Sequence, residues 1–214
     1  MQKVFSFLLL FALISPAFAQ GESATLFGGG NGEKPKIGFY VSPAYQLSSA
    51  TGQITHTFAG HAGMVINRRF TLGGSFSQSV NEFTPDTELD QDLYLDLIYA
   101  GLRAEYILNP EKLVAFSFPL IVGGGEASMD FKDGADNAQQ GFKDFGEAYF
   151  LFVEPGVNAE IILVKHVRLT AGASYRLAGG LDYSYFNNAS VTNQIQGSDI
   201  SGFNFNIGLR FGIF

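Results

Sequence analysis

The 214-residue sequence contains no cysteine and no tryptophan, and only 15% of its residues are charged. Without cysteine the chain has no disulfide framework, no thiolate metal site and no cysteine for a lipid anchor. Lys and Arg number 13 against 20 Asp and Glu, which gives a formal net charge of −7, and no basic tract is present. Because phosphate binding requires a basic surface, we expect no nucleic-acid partner.

The N-terminal segment has the pattern of a secretory signal peptide. Lys3 precedes an apolar stretch from Val4 to Ile14, and a small-residue site follows at Ala17 and Ala19. The stretch is shorter than the roughly 20 residues of a membrane-spanning helix, so we expect export and cleavage rather than an anchor. The predicted organisation is a signal peptide over residues 1–19, a Gly-rich lead-in over residues 20–35 and one domain over residues 36–214.

The chain beyond the signal peptide is rich in glycine and phenylalanine, with 26 Gly and 22 Phe. Apolar residues alternate there with small or polar ones in eight segments of strand length, which is the period-two pattern of β-strands. In "VRLTAGASYRLA", for example, Val167 and Leu169 share one face, and Arg168 and Thr170 share the other. No segment has the periodicity of a long helix.

The small and polar face of these segments also carries charged residues, and the apolar face is continuous over about ten residues, the length of a membrane-crossing strand. This combination predicts an all-β fold, an eight-stranded antiparallel up-and-down transmembrane β-barrel with its polar face inside. Eight strands leave no water-filled bore, so we expect interior charges to pair, although a gated ion pathway is the alternative. The predicted interior charge network comprises Arg103, Glu105, Glu154, Glu160, Arg168, Arg176 and Arg210.

The connections between segments alternate in length. Tight ones occur at Asn67, Asn109 and Lys165, and longer ones cover residues 48–53, 81–92, 123–147 and 179–199. Outer-membrane barrels have short turns at one end and longer loops at the other. The alternation therefore supports eight strands with both chain ends on the turn side.

The last segment, "FNIGLRFGIF", is the predicted closing strand, and we expect it to pair with the first strand because lipid offers no partner for an open sheet edge. It resembles the C-terminal aromatic strand that bacterial barrel-assembly machinery recognises. Phe214 is out of phase with the other apolar residues of the segment, which departs from the usual signal. The residues of this predicted signal are Phe205, Ile207, Leu209, Phe211 and Phe214.

Several segments resemble a family of small, largely uncharacterised outer-membrane β-barrel proteins from Bacteroidetes-type bacteria. They include "GHAGMVINRRFTLGGSFS", "YAGLRAEYILNPEKLVAFSFPLIVGGG" and "FLFVEPGVNAEIILVKHVRLTAGASYRL", of which "VEPGVNAE" is the most specific. The resemblance covers most of the chain from Ile54 to Phe214. It implies an outer-membrane barrel and brings no catalytic motif.

Two kinds of functional site are candidates outside the interior. Carboxylates crowd the predicted loops and could hold a divalent cation, but they lack the spacing of an EF-hand, so we expect no metal site and no cofactor. A lipid-modifying enzyme would need a nucleophile and a base near the outer leaflet, where His56 lies near Ser48 and Ser49, but catalytic spacing is absent and we expect no catalytic residues. The candidate metal ligands are Asp86, Asp90, Asp130, Asp133 and Asp136.

These observations predict a monomer in the outer membrane with a structural or adhesion-like surface role and no open pore. Its expected partners are outer-membrane lipid, the barrel-assembly machinery and an extracellular partner that contacts the long loops, whose aromatic and polar composition suits contact with other surfaces. A lipid-modifying outer-membrane enzyme and a soluble periplasmic lipid-binding barrel are the alternatives.

Overall fold

The computed structural model describes residues 35–50, 52–80, 93–131, 148–180 and 197–214. Eight antiparallel strands follow one another in chain order around a closed barrel, and the last strand pairs with the first. This confirms the predicted fold class. In the described ranges no helix is long and apolar enough to cross a membrane. The elements are β1 (Ile37–Ala50), β2 (Gln53–Ile66), β3 (Phe70–Ser79), β4 (Leu93–Leu108), β5 (Val114–Phe131), β6 (Ala148–Val164), β7 (Val167–Gly179), the short helix α1 (Gly197–Ile200) and β8 (Gly202–Gly212).

The two ends of the barrel differ in their connections. At one end, which we call the turn end, short turns join β2 to β3, β4 to β5 and β6 to β7. At the other, the loop end, residues 51–52 join β1 to β2, and the longer connections join β3 to β4, β5 to β6 and β7 to β8. The predicted signal peptide, all of the predicted lead-in except Pro35, and residues 81–92, 132–147 and 181–196 lie outside the described residues.

Burial follows the period-two pattern of the sequence, with the polar face buried and the apolar face exposed. On β1, Ser42 and Gln46 are buried, whereas Phe39 and Val41 are more than half exposed. The same alternation continues on the other strands. Because the sheet closes on itself, each strand has a hydrogen-bonded neighbour on both sides, and no open edge is left between β1 and β8.

The β2–β3 turn shows how the sequence closes a tight hairpin. Asn67 and Arg68 both have positive φ, 52° and 61°, and the N–H of Arg69 donates to the carbonyl of Ile66 at 3.1 Å. Two central residues with positive φ define the type I′ turn, whose twist matches that of the flanking strands. Asn is one of the few residues besides Gly that adopts this conformation readily.

Glycine permits a close approach of backbones inside the barrel. Gly101 on β4 pairs with Gly123 on β5, and a Cβ placed on Gly123 would lie 2.5 Å from the Cα of Gly101. A side chain at this pair would force the two strands apart. Glycines at such points allow a sheet to bend strongly enough to close with few strands.

The strands extend further toward the loop end than the sequence predicts. Ser48 to Ala50 continue β1, so the predicted loop over residues 48–53 is a two-residue connection. Residues Gly123 to Phe131, predicted as the start of a loop, continue β5 because they pair with Leu93 to Gly101 of β4. Cross-strand pairing there extends beyond the last residues that alternate between apolar and polar. The alternation in the sequence therefore underestimates the strand length.

Candidate functional site

The seven charged residues of the predicted interior network are all buried. They are Arg103, Glu105, Glu154, Glu160, Arg168, Arg176 and Arg210, each with 4% or less of its surface exposed. They come from four strands, β4, β6, β7 and β8, and each lies on the buried face of its strand. The alternation of the sequence places them there because each is separated from its neighbours on the same strand by an even number of residues.

Five of these residues form a continuous chain of ion pairs. Arg210 on β8 donates to Glu105 on β4 at 2.8 Å and to Glu160 on β6 at 2.6 Å. Each carboxylate then accepts a hydrogen bond from a second guanidinium at 3.1 Å, Glu105 from Arg103 and Glu160 from Arg168. We call this chain of five the charge network. It contains three cations and two anions, and Arg210 is the member that joins its two halves.

The charge network resolves a repulsion that the strand register creates. Arg168 on β7 lies directly opposite Arg210 on β8, and like charges in that position destabilise a sheet. Glu160 on the neighbouring strand accepts hydrogen bonds from both guanidinium groups through its two carboxylate oxygens. Glu105 is similarly satisfied, because the hydroxyl of Thr71 also donates to it at 3.1 Å.

Aromatic rings lie against the charge network toward the turn end. The guanidinium of Arg210 lies 4.8 Å from the ring centre of Tyr40, and that of Arg168 lies 4.0 Å from the ring centre of Phe214. Cation–π contacts of this kind stabilise desolvated guanidinium groups. Phe214 is thus out of phase with the outward-facing residues of β8, as its sequence position predicts, and its ring contacts an interior arginine.

The other two predicted members, Glu154 and Arg176, are not part of the charge network. The register on either side places them opposite each other on β6 and β7, yet no ion pair joins them. Glu154 accepts a hydrogen bond from Ser174 at 2.6 Å. Arg176 donates through Nε to the carbonyl of Ile200 in α1 at 2.8 Å, and its guanidinium lies 4.8 Å from the ring centre of Tyr99.

These two buried groups keep unused hydrogen-bonding capacity. Nη1 and Nη2 of Arg176 and Oε2 of Glu154 have no hydrogen-bond partner among the residues that the structure describes. A buried donor or acceptor left in this state costs free energy. The structure therefore divides the predicted interior charges into a connected group near the turn end and a less satisfied pair nearer the loop end.

An apolar cluster fills the interior at the loop end, and sequence reasoning missed it. The cluster lies beside Arg176, because Tyr99 is one of its members and the guanidinium of Arg176 contacts the Tyr99 ring. The signal was available in the alternation, since Phe150 and Phe152 are in phase with Glu154. The cluster comprises Ala50, Leu97, Tyr99, Ile121, Ala127, Phe150, Phe152 and Ile200.

Between the charge network and the apolar cluster lies a small polar cavity. Its volume is about 20 Å³, which is room for about one water molecule. Residues lining it include Gln46, His61, Arg103, Glu154 and Asn158. His61 points into the barrel and shares a 2.9 Å hydrogen bond with Ser75.

The predicted metal candidates are not brought together in the described part of the chain. Asp130 lies on β5 opposite Tyr94, and Asp86, Asp90, Asp133 and Asp136 lie outside the described residues. Residues 35–50, 52–80, 93–131, 148–180 and 197–214 contain no group of three or more metal-ligating side chains.

His56, the candidate catalytic base, contacts a tyrosine. His56 forms a hydrogen bond with the hydroxyl of Tyr45. Ser48 is buried on the opposite face of the sheet from His56, because Ser48 pairs with Thr55. His166 lies at the turn end, where its Nδ1 is 3.0 Å from the carbonyl oxygen of Gly212.

The last strand presents its predicted signal residues on two faces. Four of them are exposed on the outer surface, namely Phe205, Ile207, Leu209 and Phe211. All four pair with β7, and all but Leu209 also pair with β1. Phe214 differs from them in contacting Arg168. The register of β8 with β7 is constant from Gly202 to Phe211, and its register with β1 continues to Gly212. No bulge there brings Phe214 into phase with the outward-facing residues of β8.

Comparison with known proteins gives structural likeness. No protein-family model matches this chain, and no curated protein sequence matches it. The chain is similar to neisserial surface protein A with a TM-score of 0.54 and 18% identity, over 84% of this chain and 99% of that protein. It is also similar to Ail, the attachment invasion locus protein of Yersinia pestis, solved with the heparin analogue sucrose octasulfate, with a TM-score of 0.50 and 14% identity over 85% of this chain and 100% of that one. At these identities the likeness shows a shared barrel fold.

Proposed function

We propose that this protein is a monomeric barrel that spans the outer membrane of a Gram-negative bacterium and has a structural or surface-interaction role. The observation that carries the proposal is the distribution of residue types between the two faces of the closed sheet. Large apolar side chains are exposed on all eight strands, and charged side chains are buried within.

The exposed apolar surface is the main support for a membrane location. Leu102 is 73% exposed and Leu151 is 71% exposed, and large apolar side chains are exposed on each of the eight strands. Water-soluble monomers rarely expose contiguous apolar patches of more than a few hundred Å². A soluble lipid-binding barrel would turn its apolar face inward, so the observed burial does not favour that alternative.

The interior contacts support a barrel without an open pore. The charge network joins strands on opposite sides of the barrel, and the apolar cluster fills the interior at the loop end. The cavity between them holds about 20 Å³. We therefore expect no steady ion conductance and no solute pathway.

The composition of the long connections supports a surface-interaction role and restricts the charge of the partner's surface. Residues 81–92, 132–147 and 181–196 all join strands at the loop end, which faces outward in outer-membrane barrels. They contain ten Asp and Glu against two Lys. Ail was solved with a polyanionic heparin analogue, and we propose that the partner of the present chain differs in having a neutral or basic surface.

Gel mobility of the isolated outer-membrane fraction, with and without boiling, tests the proposal. A closed membrane barrel stays folded in cold detergent, so its band should shift on heating and be absent from the soluble periplasm. Single-channel recording of the folded protein should show no steady conductance. A heat-insensitive band in the soluble fraction would contradict the membrane location, and steady conductance would contradict the closed interior.

Three finer assignments stay predictions. N-terminal sequencing of the mature protein tests export, which we expect to begin at Gln20. The role of the β8 residues in recognition by the barrel-assembly machinery is tested by Phe205→Asp/Phe211→Asp, which should reduce outer-membrane insertion in cells. Membership of the Bacteroidetes-type family rests on the sequence resemblance alone.

A further inference from the structure

In the described part of the barrel, from Ile37 to Phe214, the exposed cations lie at one end. Among the described residues from Ile37 to Phe214, four arginines are buried in the interior and four other cations are exposed. Arg68 and Arg69 lie in the β2–β3 turn, Lys112 in the β4–β5 turn and Lys165 in the β6–β7 turn. We call these four residues the turn-end cations. Since every second connection is at the turn end, they are distributed around that rim of the barrel.

The rim carries little negative charge to neutralise them. Glu111 is the acidic residue in the three short turns, and none of the turn-end cations takes part in an ion pair among the described residues. Acidic residues concentrate at the opposite end, where Asp96, Glu126 and Asp199 lie near the long connections. The barrel is therefore polarised along its axis, with a basic turn end.

The apolar outer surface reaches the turn-end cations. Leu113 is 69% exposed and follows Lys112, and Val164 is 61% exposed and precedes Lys165. Long basic side chains next to an apolar surface lay their methylene groups along it and extend the charged group to the boundary. The four cations thus lie at the edge of the surface that we propose contacts lipid. In a bilayer that edge would be at the depth of the lipid headgroups.

We propose that the turn-end cations bind the phosphate groups of anionic phospholipids in the leaflet at the turn end of the barrel. This inference rests on the proposed membrane-spanning role. Guanidinium groups suit phosphate oxygens through paired hydrogen bonds, and each basic residue near an anionic bilayer surface contributes favourably to binding. The rim would hold the barrel at a fixed depth and select anionic lipids as its neighbours.

The experiment measures lipid selectivity of the full-length folded protein in vesicles. Spin-labelled phosphatidylglycerol and spin-labelled phosphatidylcholine are compared for their motionally restricted fraction at the protein surface. We expect a preference for phosphatidylglycerol of about two- to fivefold, the upper figure corresponding to one engaged cation. The preference should fall at high salt, because exposed charges are screened.

Three variants assign the effect to the rim. The variant Arg68→Asn/Arg69→Gln/Lys112→Gln/Lys165→Gln should lose the preference, and Asn is chosen at position 68 because φ is positive there. The pair Lys112→Gln/Lys165→Gln should lose part of it, whereas the matched pair Lys132→Gln/Lys143→Gln, in the connection between β5 and β6, should retain it. Equal selectivity in the four-residue variant and the parent would overturn the inference.

Two further controls separate the causes of failure. A protein that does not insert into vesicles or shift on boiling would contradict the proposed function, whereas one that inserts without lipid preference would contradict only the present inference. Inorganic phosphate, compared with chloride at equal ionic strength, should not displace the lipid. Selective displacement by phosphate would assign the cations to free phosphate and overturn the lipid assignment.

Discussion

The guanidinium of Arg210 lies 2.8 Å from the carboxylate of Glu105, and the two residues belong to strands on opposite sides of the barrel, β8 and β4. Arg210 therefore crosses the interior, and through its contact with Glu160 it links three strands. A buried ion pair often contributes little compared with apolar packing, but removing one partner leaves an uncompensated charge. Removing Arg210 would therefore leave the buried carboxylates of Glu105 and Glu160 without a shared cation.

Replacing Arg210 with methionine should destabilise the barrel strongly. Glu105 and Glu160 would lose a shared partner while remaining buried, and breaking a buried pair costs about 3–5 kcal/mol. The free energy of unfolding is measured with urea in detergent micelles, by circular dichroism, since the chain has no tryptophan. Arg210→Lys should lose less, because an ammonium group retains the charge. An unchanged urea midpoint for Arg210→Met would show that the network is not stabilising.

The matched substitution Arg176→Met should cost much less. Arg176 is as buried as Arg210, at 1% exposure, but it makes one hydrogen bond through Nε and leaves Nη1 and Nη2 without partners in the described structure. The substitution removes one hydrogen bond, worth about 1 kcal/mol, and the contact with the Tyr99 ring, worth up to about 2 kcal/mol. It also removes two unsatisfied buried donors, which offsets part of this loss. The same urea titration tests it, and a loss equal to that of Arg210→Met would contradict the distinction between the two arginines.

The sequence alone was sufficient to predict the fold and the face of each strand. Period-two alternation identified eight strands, and glycine and charge on one face indicated which side is buried. The ion-pair partners inside the barrel are not predictable from the sequence, because residues such as Arg210 and Glu105 are 105 positions apart in the chain. Which side chains meet across a barrel depends on strand tilt and stagger, and a single sequence does not reveal these quantities.

The apolar cluster shows where compositional reasoning failed. Phe150 and Phe152 share a strand face with Glu154, whereas the composition of the other strands predicts an inner face that is small and polar throughout. At the loop end Phe150 and Phe152 point inward and pack against Tyr99, as apolar residues do in the core of a soluble protein. The alternation also does not predict the extension of β5 to Phe131, because apolar and polar residues do not alternate regularly in its last nine residues.

Leu102→Arg should destabilise the inserted protein if the outer surface faces lipid. Leu102 lies in the middle of β4 and is 73% exposed, so its replacement would place a charge near the bilayer midplane at a cost of about 2–4 kcal/mol. Leu113, just before β5 at the turn end, is 69% exposed, and Leu113→Arg should cost about 0–1 kcal/mol. Unfolding from vesicles measures both. Equal effects would indicate that position 102 contacts water rather than lipid.

Gly123→Val should prevent closure of the barrel, whereas Gly60→Val should not. A Cβ at Gly123 would lie 2.5 Å from the Cα of Gly101, which leaves no room without separating β4 from β5, while a Cβ at Gly60 would meet no atom within 4 Å. Gly60 is exposed on the outer face, where a valine suits a strand. The fraction of protein that shifts on boiling after refolding into detergent measures closure. Normal folding of Gly123→Val would show that the backbones can separate there, and the close approach of Gly101 and Gly123 would then not be required for an eight-stranded barrel.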